Sequence, residues 1–218
     1  MKINSLGAGF AIAGSLLLAA CGGSATTSPA IAANPASPSG HGSRSAAPTE
    51  AAVSPESPVP VESNPPGDIP DTIAFVPYRS ASGGFSIKTP EGWARTTAHG
   101  SVSFTDKLNT VRVTWAPAVS APTVSSAKGA EVAQLRRSIR AFALKSVTTA
   151  QLPAGSAVLV TYQANSDPSP VTGKQYRQDV LRYELYHNGH EVVLTLLSPV
   201  GADNVDPWRI VTQSLAWR

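Results

Sequence analysis

Residues 69–218 predict an α+β domain: an antiparallel sheet of about six or seven strands with helices packed against it. Three observations carry that expectation. Asn188-Gly189 separates two alternating apolar runs, short alternating strands recur ahead of it, and two stretches repeat apolar residues at helical spacing. At 150 residues this is one ordinary domain, long enough to bury about 68–70% of its unfolded surface without cross-links.

Taken in order, "GGFSIKTPEGW" predicts a short strand at Phe85–Lys88 and then a turn, with Pro90 and Gly92 in positions that turns favour. Val102 and Phe104 share one strand face, and Val111, Val113 and Trp115 share another; the stretch Asp106–Asn109 between them reads as a hairpin loop. Val132, Leu135, Ile139 and Phe142 then recur at offsets of three, four and three, an apolar helical stripe that Ser125 or Ser126 would cap. A weak strand near Lys145–Gln151 and a buried one at 156–162 follow, and residues 165–174, rich in Ser, Pro and Gly, form a loop.

The stretch "LRYELYHNGHEVVLTL" (181–196) is the most informative. Both positions of a type I′ turn need positive φ, which Asn-Gly tolerates. Such a turn pairs Leu185 with Val192, Tyr183 with Leu194 and Leu181 with Leu196 on one face. Arg182, Glu184, Tyr186, Glu191, Val193 and Thr195 fall on the other. The second face is polar and does not call for a covering helix. Past Pro199, Asp203 or Asp206 would cap a last helix with Pro207 in its first turn and Trp208, Val211 and Leu215 inward; Trp217 closes the chain.

The N-terminus carries a different signal. Lys2 precedes fifteen uncharged residues, Leu6–Ala20, too short for a comfortable bilayer span of about 20 residues but suited to an export signal. Leu18-Ala19-Ala20-Cys21 resembles the lipobox of bacterial lipoproteins, and Cys21 is the sole cysteine of the chain. That resemblance implies a signal peptide at 1–20, cleavage before Cys21, thioether attachment of diacylglyceryl there and acylation of the new amino terminus with palmitate-like chains. Two or more chains make membrane attachment stable where one is marginal. The expected location is the outer, extracytoplasmic face of the cell membrane. Residues 21–68 then form a Pro/Ser/Ala-rich tether expected to be disordered, with a coil span of about 40 Å.

The domain has 15 Lys+Arg against 10 Asp+Glu, and the tether after Cys21 has one Arg against four acids. A mildly basic exported domain faces anionic headgroups and wall polymers, so nucleic acid is not an expected partner. No nucleophile elbow and no phosphate-cradling loop appear. No cofactor is expected. His187 and His190 face each other across the turn and form a candidate metal pair, although a catalytic site normally adds a third protein ligand. Solvated rings at a sheet edge are the plainer reading. Arg136, Arg137 and Arg140 cluster away from the helix stripe, either as a solvated face or as a contact for anionic groups.

With Tyr78, "GGFSIKTPEGW", "VVLTLLSP" and the closing "SLAW" in place, residues 78–217 resemble the Mog1/PsbP-like group, in particular its small actinobacterial lipoproteins. Eleven Arg to six Lys suits a GC-rich source of that kind. The resemblance implies an α/β/α sandwich and a binding or accessory role without a shared catalytic set. It carries over no functional residue. The function expected is a non-enzymatic module that binds an envelope protein partner. A carrier or chaperone of an apolar envelope lipid is the alternative, and a metal-assisted enzyme working through His187 and His190 is the third.

Overall fold

The computed structural model describes residues 56–61 and 66–218. Cys21, the signal segment and the tether up to residue 55 lie outside the described residues. The described chain is α+β with two antiparallel sheets. A seven-stranded sheet has the order β3-β4-β5-β9-β8-β7-β6, and a three-stranded one has the order β1-β2-β10. In chain order the elements are β1 (Phe75–Arg79), β2 (Phe85–Pro90), β3 (Ala94–Ala98), β4 (Ser101–Asp106) and β5 (Asn109–Pro117). A helical segment follows, made of α1 (Val124–Ser126), a π-helical stretch (Ala127–Glu131) and α2 (Val132–Ser138). Then come β6 (Ala143–Leu152), β7 (Gly155–Asn165), β8 (Arg177–His187), β9 (His190–Pro199), α3 (Val205–Gln213) and β10 (Ala216–Trp217).

The β8–β9 hairpin has the register that its turn dictates. Leu185 pairs with Val192, Tyr183 with Leu194 and Leu181 with Leu196. Asn188 and Gly189 take φ of 47° and 80°, the two positive values a type I′ turn requires. β5 continues the same face outward, with Val111 opposite Leu196 and Val113 opposite Leu194. This face, with Val102 and Phe104 of β4, is buried under Phe85 and Ile87 of β2 and Trp208, Val211 and Leu215 of the C-terminal helix region. Trp93 and Trp208 meet edge to face at 6.3 Å. The indole of Trp217 donates to Ala154 O at 2.7 Å, so the last aromatic does close the core's rim.

The opposite face corrects one expectation. Although it carries Arg182 and Glu184, it is covered: Ala127, Val132 and Leu135 pack on Val147, Val158, Val160, Tyr162 and Val180. The polar pair is accommodated because the covering helix brings its own carboxylate. Arg182 lies 2.7 Å from Glu131 and 2.9 Å from Glu184, whose side chain is almost fully buried. Helical layers thus stand on both faces, the first shared with the small sheet, which supplies the α/β/α arrangement.

The helical stripe is shorter than its spacing predicts. Ile139 is already extended at φ −102° and ψ 130°, and Phe142 follows the helix; both still pack against this second core. The N-cap is Thr123, not Ser125 or Ser126, and Ser126 completes a reciprocal capping box with it. Ala127 and Val132, five residues apart, both reach the sheet because the turn between them is π-helical. At α3 the cap position belongs to Asn204, neither Asp203 nor Asp206. Its side chain turns inward, accepts from Ile69 N at 2.8 Å, and donates to Gly67 O at 3.0 Å and Asn109 Oδ1 at 3.1 Å. Asp206 sits in the first turn and pairs with Arg209.

Leu194 is fully buried at the centre of the first core. Leu194→Ala is expected to cost about 2–5 kcal/mol through lost transfer energy and a residual cavity, read as a lowered urea midpoint.

Candidate functional site

The covering helix ends at Ser138 and packs over β6, β7 and β8. Beyond it, the same sheet face continues across β9, β5 and β4, where no helix of the described residues covers it, and a groove of about 880 Å³ lies there. Strand pairing dictates its floor. One row reads Ser103, Arg112, Thr195, Arg182 across β4, β5, β9 and β8; the next reads Thr105, Thr110 and Leu197 and runs on to Val180, which is buried under the helix. Leu135, Ile139, Tyr162 and Ala164 line the helix side, and Ser166–Gln175 with Tyr176 line one end. The hydroxyl of Tyr176 donates to Leu108 O at 2.8 Å and so ties that end loop to the β4–β5 turn.

Among the described residues the groove lining is mainly basic: Lys107, Arg112, Arg140, Lys174, Arg177 and Arg182 line it with Asp167, and Glu56 pairs with Arg140. These cations are not equivalent. Arg182 is neutralised by its two glutamates. Arg112 is exposed and donates to Ser103 Oγ at 3.2 Å. Arg177 is only 5% exposed, yet among the described residues no carboxylate pairs with it. It donates instead to Ala141 O at 2.8 Å and Asn165 Oδ1 at 3.2 Å. Burial lowers its pKa and the field of Asp179 opposes that. Burial pushes the phenols of Tyr162 and Tyr176 up, so both remain neutral donors on the wall.

A smaller cavity of about 210 Å³ lies beside Glu131, Glu184 and Glu191. Burial raises the carboxyls of Glu184 and Glu191, with Arg182 opposing in each case.

The residues singled out in the sequence fall in different places. His187 and His190 do face each other across the turn. Both are exposed, and His187 stacks on Trp217 at 4.8 Å with the rings 8° apart. His190 Nδ1 lies 3.2 Å from Asn188 O. Among the described residues no third metal-ligating side chain joins them. The arginine cluster is split. Arg136 lies over the Phe142 ring at 5.9 Å, Arg137 is exposed on the helix, and Arg140, past the helix end, reaches the groove. Arg140 pairs there with Glu56 at 2.8 Å and with Asp167 at 3.7 Å.

Sequence reasoning missed the groove and the placement of Arg112, Asn165, Tyr176 and Arg177 in it. The available signal was the alternation of Thr110, Arg112 and Thr114 in β5, polar residues between the apolar Val111, Val113 and Trp115, with Thr195 of β9 opposite Arg112.

No protein-family model matches the chain, and no curated protein matches it. Solved structures do. The cyanobacterial PsbP, CyanoP, from Synechocystis is similar at 15% identity and TM-score 0.49, over 71% of this chain and 100% of that one. LpqN, described as involved in cell envelope biogenesis of Mycobacterium tuberculosis, is similar at 13% identity and TM-score 0.42, over 67% and 91%. A crystal structure from Bacteroides thetaiotaomicron gives 14% and 0.42 over 65% of this chain, and this chain spans only 48% of that protein's length. These are likenesses of fold and transfer no function.

The buried carboxyl of Glu184 gives a prediction with a definite sign. The folded chain holds this proton to higher pH than the unfolded chain does. The stability so contributed is full below the ordinary glutamate value of about 4.3 and is lost as pH rises through the raised folded value. Glu184→Gln, which can still accept from Arg182, is expected to flatten that decline. Urea midpoints measured from acid to neutral pH check it: parent and variant should diverge in favour of the variant as pH rises.

Proposed function

We propose that the protein is a non-enzymatic binding module of a bacterial envelope, anchored through lipidated Cys21 to the outer face of the membrane, with the groove as the surface that receives its partner. One observation carries the proposal: a sheet face covered over only part of its width, whose uncovered part is floored by hydroxyls and guanidinium groups. Such a floor offers directional hydrogen bonds and positive charge to a partner with polar, acidic groups. A packed core would have no use for them, since buried polar groups cost free energy unless paired. The partner favoured is an envelope protein that presents an acidic segment.

The alternative, a carrier of an apolar envelope lipid, draws on a different observation. Leu135, Ile139, Tyr162, Ala164 and Leu197 form an apolar side to the same groove, whose volume lies within the roughly 300–1,000 Å³ range of small-molecule sites. Its acyl chain would lie along that side and its headgroup near Arg112. The half-buried, Thr-rich floor makes this the weaker fit.

A photo-crosslinking residue at Thr110 or Thr195, in the anchored full-length chain, is expected to capture a discrete protein adduct, and one at exposed Thr96 on β3 is not. Adducts to lipid alone would favour the carrier. Equal capture from Thr96 would overturn the groove as the site. In the same cells, labelled fatty acid should mark the parent and not Cys21→Ser.

A further inference from the structure

Residues 56–61 precede the domain as sequence composition bounds it, and yet they are hydrogen-bonded to it. The anchor point is Asn165, at the end of β7 and 3% exposed. Its amide reads a passing backbone as a neighbouring strand would: Oδ1 accepts from Val59 N at 3.0 Å and Nδ2 donates to Ser57 O at 2.9 Å. Nδ2 also donates to Glu56 Oε1 at 3.0 Å. Gln175 donates to the same oxygen at 2.9 Å, and Arg140 takes Oε2 at 2.8 Å. These contacts draw the Glu56 carboxyl below its ordinary range, those to Asn165 and Gln175 first. Arg177 holds the amide in place through its bond to Oδ1.

Two features show that this is a recognition site and not part of the core. Nearly all the hydrogen bonds of the Asn165 side chain come from a segment more than 100 positions away, with Arg177 the one partner inside the domain. The segment itself buries almost nothing: Glu56, Ser57, Pro58, Pro60 and Val61 are exposed and Val59 is half-buried. Without an apolar contribution, such an attachment belongs to the low-stability end of the molecule and opens readily. Opening it removes three of the four hydrogen bonds of the Asn165 side chain, and re-occupation restores them.

We propose that Arg140, Asn165 and Gln175 form a binding site for an extended acidic peptide, and that the chain's own Glu56–Val61 occupies it as an internal competitor. The ligand class follows from the contacts: a carboxylate to meet Arg140 and Gln175, and a backbone carbonyl and N–H one and three residues later to meet Asn165. The prolines at 58 and 60 keep the occupant extended and leave the Val59 N–H free to donate. The three residues line one end of the groove, so this inference deepens the binding role proposed there and rests on it, while capture from Thr110 or Thr195 tests that role separately.

The test uses the full chain solubilised in detergent and a fluorescent decapeptide with the sequence of residues 53–62. The parent should bind this peptide weakly, because the attached segment holds the site at high effective concentration. Glu56→Ala in the protein should tighten binding about tenfold or more. Adding Asn165→Asp, isosteric and still able to accept from Arg177, or Gln175→Ala in the loop, should abolish the gain, as should Glu→Gln within the peptide. If Glu56→Ala binds the peptide no better than the parent does, or if the gain survives both second substitutions, the proposal is overturned.

Discussion

The register of one hairpin decides what every other part of this molecule has to do. With Asn188 and Gly189 in the turn, Leu181, Tyr183 and Leu185 meet Leu196, Leu194 and Val192, and their neighbours Arg182 and Glu184 are committed to the reverse side. A slip of one residue would exchange the two sides entirely. The apolar side then requires the small sheet and α3 as its cover. The reverse side requires a helix that can tolerate an arginine, and the Glu131 carboxylate on the π-helical stretch meets that need. Burying such a group of charges contributes little net stability, but removing one member would strand the others. Its clearest consequence is geometric: it fixes the helix over β6–β8 and leaves β4, β5 and β9 without a helix on that face.

Much of this was legible in the residues. The hairpin register, the strands around Val102 and Val113, the loop after Asn165 and the inward set of the last helix all follow from alternation, spacing and turn chemistry, which act locally. What escaped was non-local. Arg182 and Glu184 look like solvent-facing residues until Glu131, some fifty positions earlier, is placed above them. Asn204 takes the N-cap position in place of the aspartates without capping the helix through its side chain, whose amide instead has three partners in the segments around Gly67 and Asn109. Two-residue strands such as β10 and edge strands such as β3 lack the apolar alternation that would announce them.

The candidate site was less legible than the fold, for a related reason. A groove is defined by where a helix stops, and Val132, Leu135, Ile139 and Phe142 keep a helical spacing past the point at which the backbone has become extended. Ile139 and Phe142 remain apolar because they pack from a turn, so the pattern overstates the helix and hides the gap. Composition likewise bounded the domain at residue 69, whereas Glu56 and Val59 are bound to it through Asn165. A Pro/Ser-rich run can be poor in core-forming residues and still carry a carboxylate and a free N–H at the spacing that a polar cradle needs.

The edge formed by β3 has a consequence of a different kind. All five of its residues, Ala94–Ala98, are exposed, and among the described residues β4 is its sole partner in the sheet. An unpaired strand edge invites a like chain to add on, and the proposed lipid anchor would concentrate copies in the plane of a leaflet, where they would meet far more often than in free solution. Here the edge is short and has no large aliphatic side chain, and Arg95 sits along it, over the Tyr78 ring. Length, composition and charge all discourage edge-to-edge polymerisation, so crowding on a surface need not end in fibrils.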